Sequence, residues 1–383
     1  MSSLSGAAMP GTTWRDRFRA WRDGLTAKPG FRSWAAAFPP TRPLARRRAR
    51  QLFDLCAGFV YSQVLLACVR LKLFDLLEAG PLDEAALARR LSLPPEAASR
   101  LLAAAGSLRL VQRRDDGRWA LGPLGAAMIG NPGIAAMVEH HAMLYADLAD
   151  PVALLRRDRG GNALSRYWAY AGAAAPDALA PDRVGDYTAL MAASQPMVAE
   201  EVIAAFDFGR HRALLDVGGG SGAFLAAVAK AAPGLRLMLF DLPAVAAQGR
   251  QRLAQAGLAA RASVHGGDFT ADDLPVGADL VSLVRVLHDH DDDVVRALLR
   301  RVRAALPAHG RLLIAEPMAG TPGAEPMGEA YFGFYLLAMG RGRPRRPEEL
   351  RALVAEAGFG RAQLLATRTP LLVRVLVADV TAG

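Results

Sequence analysis

Residues 214–222, Leu-Leu-Asp-Val-Gly-Gly-Gly-Ser-Gly, leave little freedom in how this stretch can fold. Leu214 and Leu215 carry a buried strand into Asp216, and the glycines that follow let bare backbone approach a ligand. Gly218, Gly220 and Gly222 suit a turn that needs positive φ or close approach, and 224–230 then reads as a helix whose N-terminus points at that ligand. Strand, glycine turn and helix in this order make a nucleotide-type site. The turn alone also satisfies a looser dinucleotide fingerprint through Gly218, Gly220 and Ala223, so its context has to arbitrate.

That context is a series of further strands ending in polar residues. Residues 235–240 form a second strand ending at Asp241, nineteen residues after Gly222, where a carboxylate can accept from both hydroxyls of a ribose. A third, 262–265, runs into Gly266-Gly267-Asp268-Phe269; there Asp268 can accept from an adenine amino group while Phe269 packs on the base. A fourth strand spans 279–287 and ends in His288-Asp289, and a fifth spans 311–315 and ends in Glu316-Pro317. Polar groups at the ends of buried strands are what a ligand crevice in an open α/β sheet requires.

With Asp-Val-Gly-Gly-Gly-Ser-Gly, Phe240-Asp241-Leu242-Pro243, Gly267-Asp268-Phe269 and Leu287-His288-Asp289 in this order, the chain resembles the S-adenosylmethionine-dependent O-methyltransferases of the plant phenol and caffeate class. The resemblance spans roughly residues 50–380. It implies an α/β, Rossmann-like methyltransferase sheet with an N-terminal, mostly helical winged-helix dimerisation domain, S-adenosyl-L-methionine as methyl donor, and a homodimer. It also implies that Gly218, Asp241 and Asp268 bind the donor and that His288 is the general base; Asp216, Gly220, Gly222, Leu242 and Phe269 are assigned to the same donor site. A dinucleotide dehydrogenase is the alternative that the turn alone leaves open.

A His at the carboxyl end of a strand can take the proton of an attacking hydroxyl as methyl transfer proceeds. Glu316, twenty-eight residues on at the end of the neighbouring strand, can orient His288 and raise the basicity of its ring. Asp289 is expected to cap the following helix, with Asp291, Asp292 and Asp293 favouring its N-terminus. Several positions depart from the plant pattern. The Trp after the His-Asp pair is His290; the second Glu of the C-terminal region is Pro344, ahead of Arg345 and Arg346; and the Lys four residues before the base is Val284. Arg285 is the candidate substitute for that Lys and is assigned to the donor site, while Glu325 or Glu329 is a candidate replacement for the missing carboxylate.

At 383 residues and 52% hydrophobic composition, the chain has material for two cores. The expected division is a basic, aromatic arm over 1–50, a winged-helix-like dimerisation domain over 51–180 and a catalytic domain over 181–383. Cys56 and Cys68, twelve apart in an apolar helical stretch, read as buried reduced thiols rather than a disulfide framework. With no signal-peptide pattern after Met1, a cytoplasmic location is expected. The longest charge-free apolar run, 55–69, has fifteen residues. That is short of the roughly 18 wanted for a membrane span, so it reads as a buried or dimer-interface helix.

Between 73 and 128 the pattern spells a winged helix: helix 83–91, the break Ser92-Leu93-Pro94-Pro95, helix 96–106, and strands near 110–113 and 119–121 joined by Asp115-Asp116-Gly117. A ligand-responsive DNA-binding regulator is the second reading of that unit. Its candidate recognition helix offers only Arg100 and Ser99 among Ala and Leu, however, so dimerisation is the better use and nucleic acid is not an expected partner.

The first fifty residues hold eleven Lys or Arg against two Asp, a surplus equal to the whole chain's +9. Trp14, Phe18, Trp21 and Leu25 follow helical spacing, with Arg15, Arg17, Arg19 and Arg22 around them. Such a helix, helped by Arg46, Arg47, Arg48 and Arg50, fits peripheral contact of residues 14–50 with an anionic membrane surface; a solvated or dimer-packing arm is the other reading. Residues 31–63, from Phe31-Arg32-Ser33-Trp34 through Tyr61-Ser62-Gln63, further resemble the carotenoid-hydroxyl methyltransferases of purple photosynthetic bacteria. That resemblance implies a hydroxycarotenoid acceptor, methylated at its C-1 tertiary hydroxyl. A bacteriochlorophyll-pathway or a phenol or polyketide methyltransferase of the same fold is the alternative. Tyr187, Met191, Met197, Met327, Tyr331, Phe332, Phe334, Tyr335 and Met339 supply apolar surface suited to a polyene, or ordinary core.

Overall fold

The computed structural model describes residues 13–156, 161–167 and 194–381. The chain divides into two compact units, Met1–Pro123 and Leu124–Gly383. The division therefore falls well before the sequence-based boundary at 180. The reason lies in packing: the helices Pro132–Asp147, Pro151–Arg156 and Ala163–Tyr167 bury Leu144, Leu154 and Leu164 against Tyr335, Leu336 and Met339 of the second unit.

The first unit holds the helices Trp14–Ala27, Pro29–Ala37, Arg42–Arg70, Leu73–Glu78, Glu84–Arg90 and Pro95–Ser107 and the hairpin β1 (Val111–Arg113) and β2 (Trp119–Leu121). The expected helix–turn–helix–hairpin is present. Asp83 caps its first helix by accepting from the Ala86 amide at 2.6 Å, as a short side chain at an N-cap does. Pro95 starts the second helix where its missing N–H costs nothing. Leu87, Ala98, Leu102, Val111 and Trp119 are buried around it, and the indole N–H of Trp119 donates to Glu84 at 3.3 Å.

Two expectations for this unit are corrected. Arg42–Arg70 is one continuous 29-residue helix with an 18-residue window long and apolar enough, by length and composition only, to cross a membrane. The charge-free run of fifteen is bounded by Asp54 and Arg70, but the helix continues through both. Only 11% of that stretch is buried within the chain, so the buried-helix reading falls and the dimer-interface reading remains. Cys68 is buried, and burial pushes its thiol up to about 12, but Cys56 is exposed; both are free.

In the second unit a seven-stranded sheet runs in the order β5-β4-β3-β6-β7-β9-β8. Here β3 is Ala213–Val217, β4 Arg236–Asp241, β5 Ala262–Gly266, β6 Leu280–Val284, β7 Arg311–Glu316, β8 Gln363–Leu365 and β9 Arg374–Asp379. The strands β3 to β7 are parallel, whereas β9 runs antiparallel to β7 and to β8. Alternation along β3 sends Leu215 and Val217 into one core and Leu214 into the other, so both faces of the sheet are covered, as parallel sheets need. The helix Asp292–Ala305 seals one face with Val295, Leu298, Leu299 and Val302, a 3.6-period stripe, while Asp292 and Asp293 sit favourably in its first turn. From β3 the chain moves outward to β4 and β5 and then returns to β6 on the other side of β3, which makes the carboxyl end of β3 a topological switch point.

Candidate active site

Apart from Asp216, which lies inside β3, the expected site residues from β3, β4, β5, β6 and β7 come to the carboxyl edge of the parallel strands. After β3 the backbone turns through Gly218, Gly220 and Gly222 at φ of +68°, +60° and +75°. Gly218 is tight toward the crevice, where a Cβ would lie 2.9 Å from Cγ2 of Val286 and 3.9 Å from the Phe269 ring, and Gly219 is tighter still toward the sheet, where a Cβ would collide with Asp216 and Leu239. Its amide donates to the Phe240 carbonyl at 2.8 Å, which ties the turn to β4. The helix Ala223–Ala231 then begins at Gly222 without a side-chain cap, leaving its first-turn amides directed at the crevice.

Asp241 at the end of β4 accepts from the Gly220 amide at 2.7 Å and from the Leu242 amide at 2.8 Å. Burial pushes its carboxyl up to about 6 against the pull of those two amides. Asp216 lies inside β3 rather than at its end; it is fully buried, and Oδ1 accepts from the Ser282 hydroxyl at 2.6 Å. Oδ2 has no hydrogen-bond partner among the described residues. Burial pushes Asp216 up to about 7, opposed by the Ser282 hydroxyl and helped by the nearby Asp241 charge.

A carboxyl whose pKa is higher folded than unfolded adds stability in full below the unfolded pKa and loses it as pH rises through the folded one. Relative to an Asp216→Asn variant, the ligand-free protein is therefore expected to lose stability as pH rises from about 4 to about 7, by on the order of 2–4 kcal/mol. Parallel melting curves for the two proteins across that range would contradict it.

Beyond β5, Asp268 is tied into a turn: one carboxylate oxygen accepts from the amide and the hydroxyl of Thr270, at 2.8 and 2.7 Å, and its own amide donates to Asp272. Phe269 stands edge-on to His290 with centroids 5.2 Å apart, on the Gly218 side of the crevice. The cradle of glycine backbone, the unpartnered oxygen of Asp216 and the aromatic ring beside Gly218 fit an adenosyl group bearing a positive charge.

The fourth strand is shorter than its apolar run suggests. It stops at Val284 because Arg285 turns to φ +59°, after which 287–289 form a single 3-10 turn. This turn presents His288, 4% exposed, to two carboxylates. Glu316, completely buried at the end of β7, accepts from the His288 amide at 3.1 Å and lies 3.4 Å from Nδ1. On the other side Asp289 Oδ1 lies 3.2 Å from Nε2. Burial disfavours the charged ring, but Asp289 and Glu316 outweigh it, and the His288 pKa is held above the ordinary value despite an opposing Arg285 charge. Burial likewise raises the carboxyl of Asp289, opposed by His288 and Arg285.

The expected helix-capping role of Asp289 is thus corrected. The N-cap of the next helix is Asp291, and Asp289 is turned inward to His288 because it belongs to the 3-10 turn, not to the helix start. Glu325 and Glu329 are exposed and bind elsewhere: Glu325 accepts from the Gly323 amide, and Glu329 from Gly320 and Arg346. The Arg285 guanidinium donates to the Ser194 hydroxyl at 2.8 Å.

Sequence reasoning missed two His–Tyr pairs. His140 Nε2 meets the Tyr335 hydroxyl at 2.6 Å, and His141 Nε2 meets that of Tyr331 at the same distance. Between the two tyrosines Phe332 sets its edge against the His288 ring, with centroids 5.8 Å apart. Of the expected acceptor-side residues, Tyr335 and Met339 are core, Tyr331 and Phe332 are half-buried beside it, and Tyr187 and Met191 lie outside the described residues.

Comparison with known proteins gives these features a family context. The O-methyltransferase domain matches residues 145–360, and the O-methyltransferase dimerisation domain matches residues 53–131. The chain is 46% identical to demethylspheroidene O-methyltransferase of Cereibacter sphaeroides over 350 residues, 91% of each chain. It is 42% identical to that of Rhodobacter capsulatus over 89% of this chain and 84% of the relative. Among solved structures, the calicheamicin-biosynthesis methyltransferase CalO1 in its SAH-bound form superposes with a TM-score of 0.73 at 28% identity, covering 88% of this chain and 98% of that one.

Proposed function

The chain belongs to the S-adenosylmethionine-dependent O-methyltransferase family, and on that premise we propose that it methylates the C-1 tertiary hydroxyl of a carotenoid, with His288 as general base. The matched dimerisation domain supports a homodimer. What supports the acceptor is the 46% identity, spanning 91% of both chains, with an enzyme named for demethylspheroidene O-methylation. What carries the base assignment is a buried imidazole held between two carboxylates at the end of β6.

S-adenosyl-L-methionine, when bound, supplies an electrophilic methyl group. Asp241, with Leu242 beside it, serves as the ribose acceptor, and Asp268 with Phe269 serves the adenine. Gly218, Gly220, Gly222 and Asp216 line the turn that admits the rest, and Arg285 borders the site from the β6 side. Glu316 holds Nδ1 of His288, which leaves Nε2 to receive the acceptor's proton. An aliphatic hydroxyl has a pKa near water's ~15.7, so Nε2 takes its proton only as the new C–O bond forms. Asp289, 3.2 Å from Nε2, stabilises the resulting imidazolium.

Incubating the protein with labelled donor and, separately, a hydroxycarotenoid, a bacteriochlorophyllide and a catechol tests the acceptor. Label in the hydroxycarotenoid is expected; label confined to either of the others overturns the assignment.

The protein works in the cytoplasm, with residues 14–50 in peripheral contact with the anionic inner membrane surface. Supporting this, Trp14, Phe18 and Trp21 are 73%, 54% and 62% exposed on a helix that also carries Arg15, Arg17, Arg19 and Arg22, and Trp34 stacks on Phe38 at 5.0 Å. Aromatic rings favour headgroup depth and arginines favour anionic lipid. Removing residues 1–30 is expected to release the protein from vesicles containing anionic lipid while activity on a detergent-dispersed acceptor persists. Equal sedimentation of the two forms would rule out this contact.

A further inference from the structure

We propose that Arg345, together with the backbone of Gly342, is a positioning element that fixes the His288 ring from behind the turn that carries it. The proposal rests on His288 being the base. Arg345 is a completely buried arginine. Its Nη1 donates to the Leu287 carbonyl at 2.6 Å and its Nη2 to the His290 carbonyl at 2.7 Å. Those two carbonyls bracket His288 and Asp289. The guanidinium is neutralised by Asp292, whose Oδ1 accepts from Nε at 3.0 Å and from Nη2 at 2.7 Å. A buried cation is tolerated only when its charge and donors are met in this way.

Gly342 completes the support. At φ +77° its backbone passes so close to the His288 carbonyl and to Asp289 that a Cβ would collide with both, and its amide donates to Asp291 at 3.1 Å. The turn needs such support because its own hydrogen bonds are few and long: Asp289 to Val286 and His290 to Leu287, each 3.2 Å. Glu316 grips the His288 amide from the sheet side, and Arg345 grips the flanking carbonyls from the other. A lysine has a single donor head and cannot reproduce the planar fork that meets two carbonyls and a carboxylate together.

The titratable and charged groups facing the ring are Asp289, Glu316 and Arg285, together with the neighbouring imidazole of His290. Loosening the turn separates Nδ1 and Nε2 from the two carboxylates, which lowers the His288 pKa as the ring loses its alignment. In Arg345→Met, kcat is therefore expected to fall tenfold or more, the acid limb of the kcat profile to move to lower pH, and donor dissociation constant to change less than twofold. Arg345→Lys recovers part of the rate. Arg343→Met, which among the described residues removes side-chain hydrogen bonds only to Asp292 and Glu349, stays within about twofold of wild type in kcat.

If Arg345→Met does not fold, Arg345→Lys and Gly342→Ala decide the matter, each expected to lose rate with the same shift of the acid limb. Wild-type kcat and an unmoved acid limb in the folded variants overturn the proposal. So does a rate loss that accompanies a lower melting temperature with the acid limb in place, since that is general destabilisation. His288→Ala measured alongside separates the two levels: an active His288→Ala removes the base assignment itself, whereas an inactive one beside wild-type-like Arg345 variants removes only the positioning role.

Discussion

His288→Ala is expected to lower kcat by about 10²–10⁴-fold, the range that a positioned base contributes, while the donor dissociation constant stays within about twofold. The ring sits at the end of β6, and Gly220 and Asp241, the groups assigned to the donor, are tied to each other rather than to it. Truncation therefore removes proton transfer without unfastening the donor cradle. It also leaves Asp289 and Glu316 close together in a buried space without the imidazolium between them, so His288→Gln, which retains a polar side chain of similar reach, is the better control for folding. In the wild type, carboxylates on both sides raise the His288 pKa, and the base acts only when neutral, so the acid limb of kcat is expected above pH ~6.5. Single-turnover transfer from labelled donor, measured across pH, reads both effects. A His288→Ala rate within threefold of wild type would defeat the assignment, and an acid limb well below 6.5 would show that the flanking carboxylates do not act on the base.

The parts of this site that were legible in sequence are those where chemistry is carried by neighbours in the chain. The glycine turn, Asp241 at the end of β4 and His288 beyond β6 were each readable, because a run of apolar residues ending in a polar one is a local pattern. The hairpin from 111 to 121 was readable for the same reason, with Asp-Asp-Gly at its tip. What could not be read are contacts made across the fold. Arg345 reaches His290 over 55 residues, and His140 meets Tyr335 over 195; nothing in the spacing of an arginine or a tyrosine announces such a partner. The end of β6 was misread for a different reason. Arg285 takes a positive φ that sequence rules reserve for Gly, Asn and Asp, so an apolar run to Leu287 looked like strand although the chain leaves the sheet at Val284. A non-glycine residue held in that region beside the 3-10 turn that carries His288 is strain that the surrounding structure sustains. The carboxylate that lies beside Nε2 of His288 is neither Glu325 nor Glu329 but the next residue, Asp289, because the 3-10 turn, by folding back on itself, lets adjacent side chains face one another. The exposure of helix 42–70 was equally hidden, since an apolar face reads the same whether its own chain or a second one covers it.

Asp241→Asn gives the complementary result: the donor dissociation constant is expected to rise by about 10²-fold or more, with transfer at saturating donor reduced far less than in His288→Ala. Two effects combine. An ionised carboxylate accepting from two hydroxyls contributes ~1.5–3 kcal/mol per hydrogen bond, and the amide retains one acceptor in place of two charged ones. In addition, one of the two Asp241 oxygens holds the Gly220 amide at 2.7 Å, so an Asn NH2 group turned toward that amide sets donor against donor and pushes the glycine turn out of register. The other orientation spares Gly220 but places the NH2 against the Leu242 amide, so neither rotamer restores the wild-type arrangement. Because this interaction is made equally before and during transfer, its loss appears in binding rather than in kcat, which is the reverse of the split at His288. The ligand-free carboxyl, pushed up to about 6, also predicts that donor binding in the wild type weakens as pH falls below that value, as protonation removes an acceptor, whereas binding to Asp241→Asn is flat over the same range. Calorimetric titration of both proteins with S-adenosylmethionine and with its demethylated thioether between pH 5 and 8, within about half a unit, makes the comparison. Dissociation constants within threefold of one another at pH 8 would take Asp241 out of the donor site.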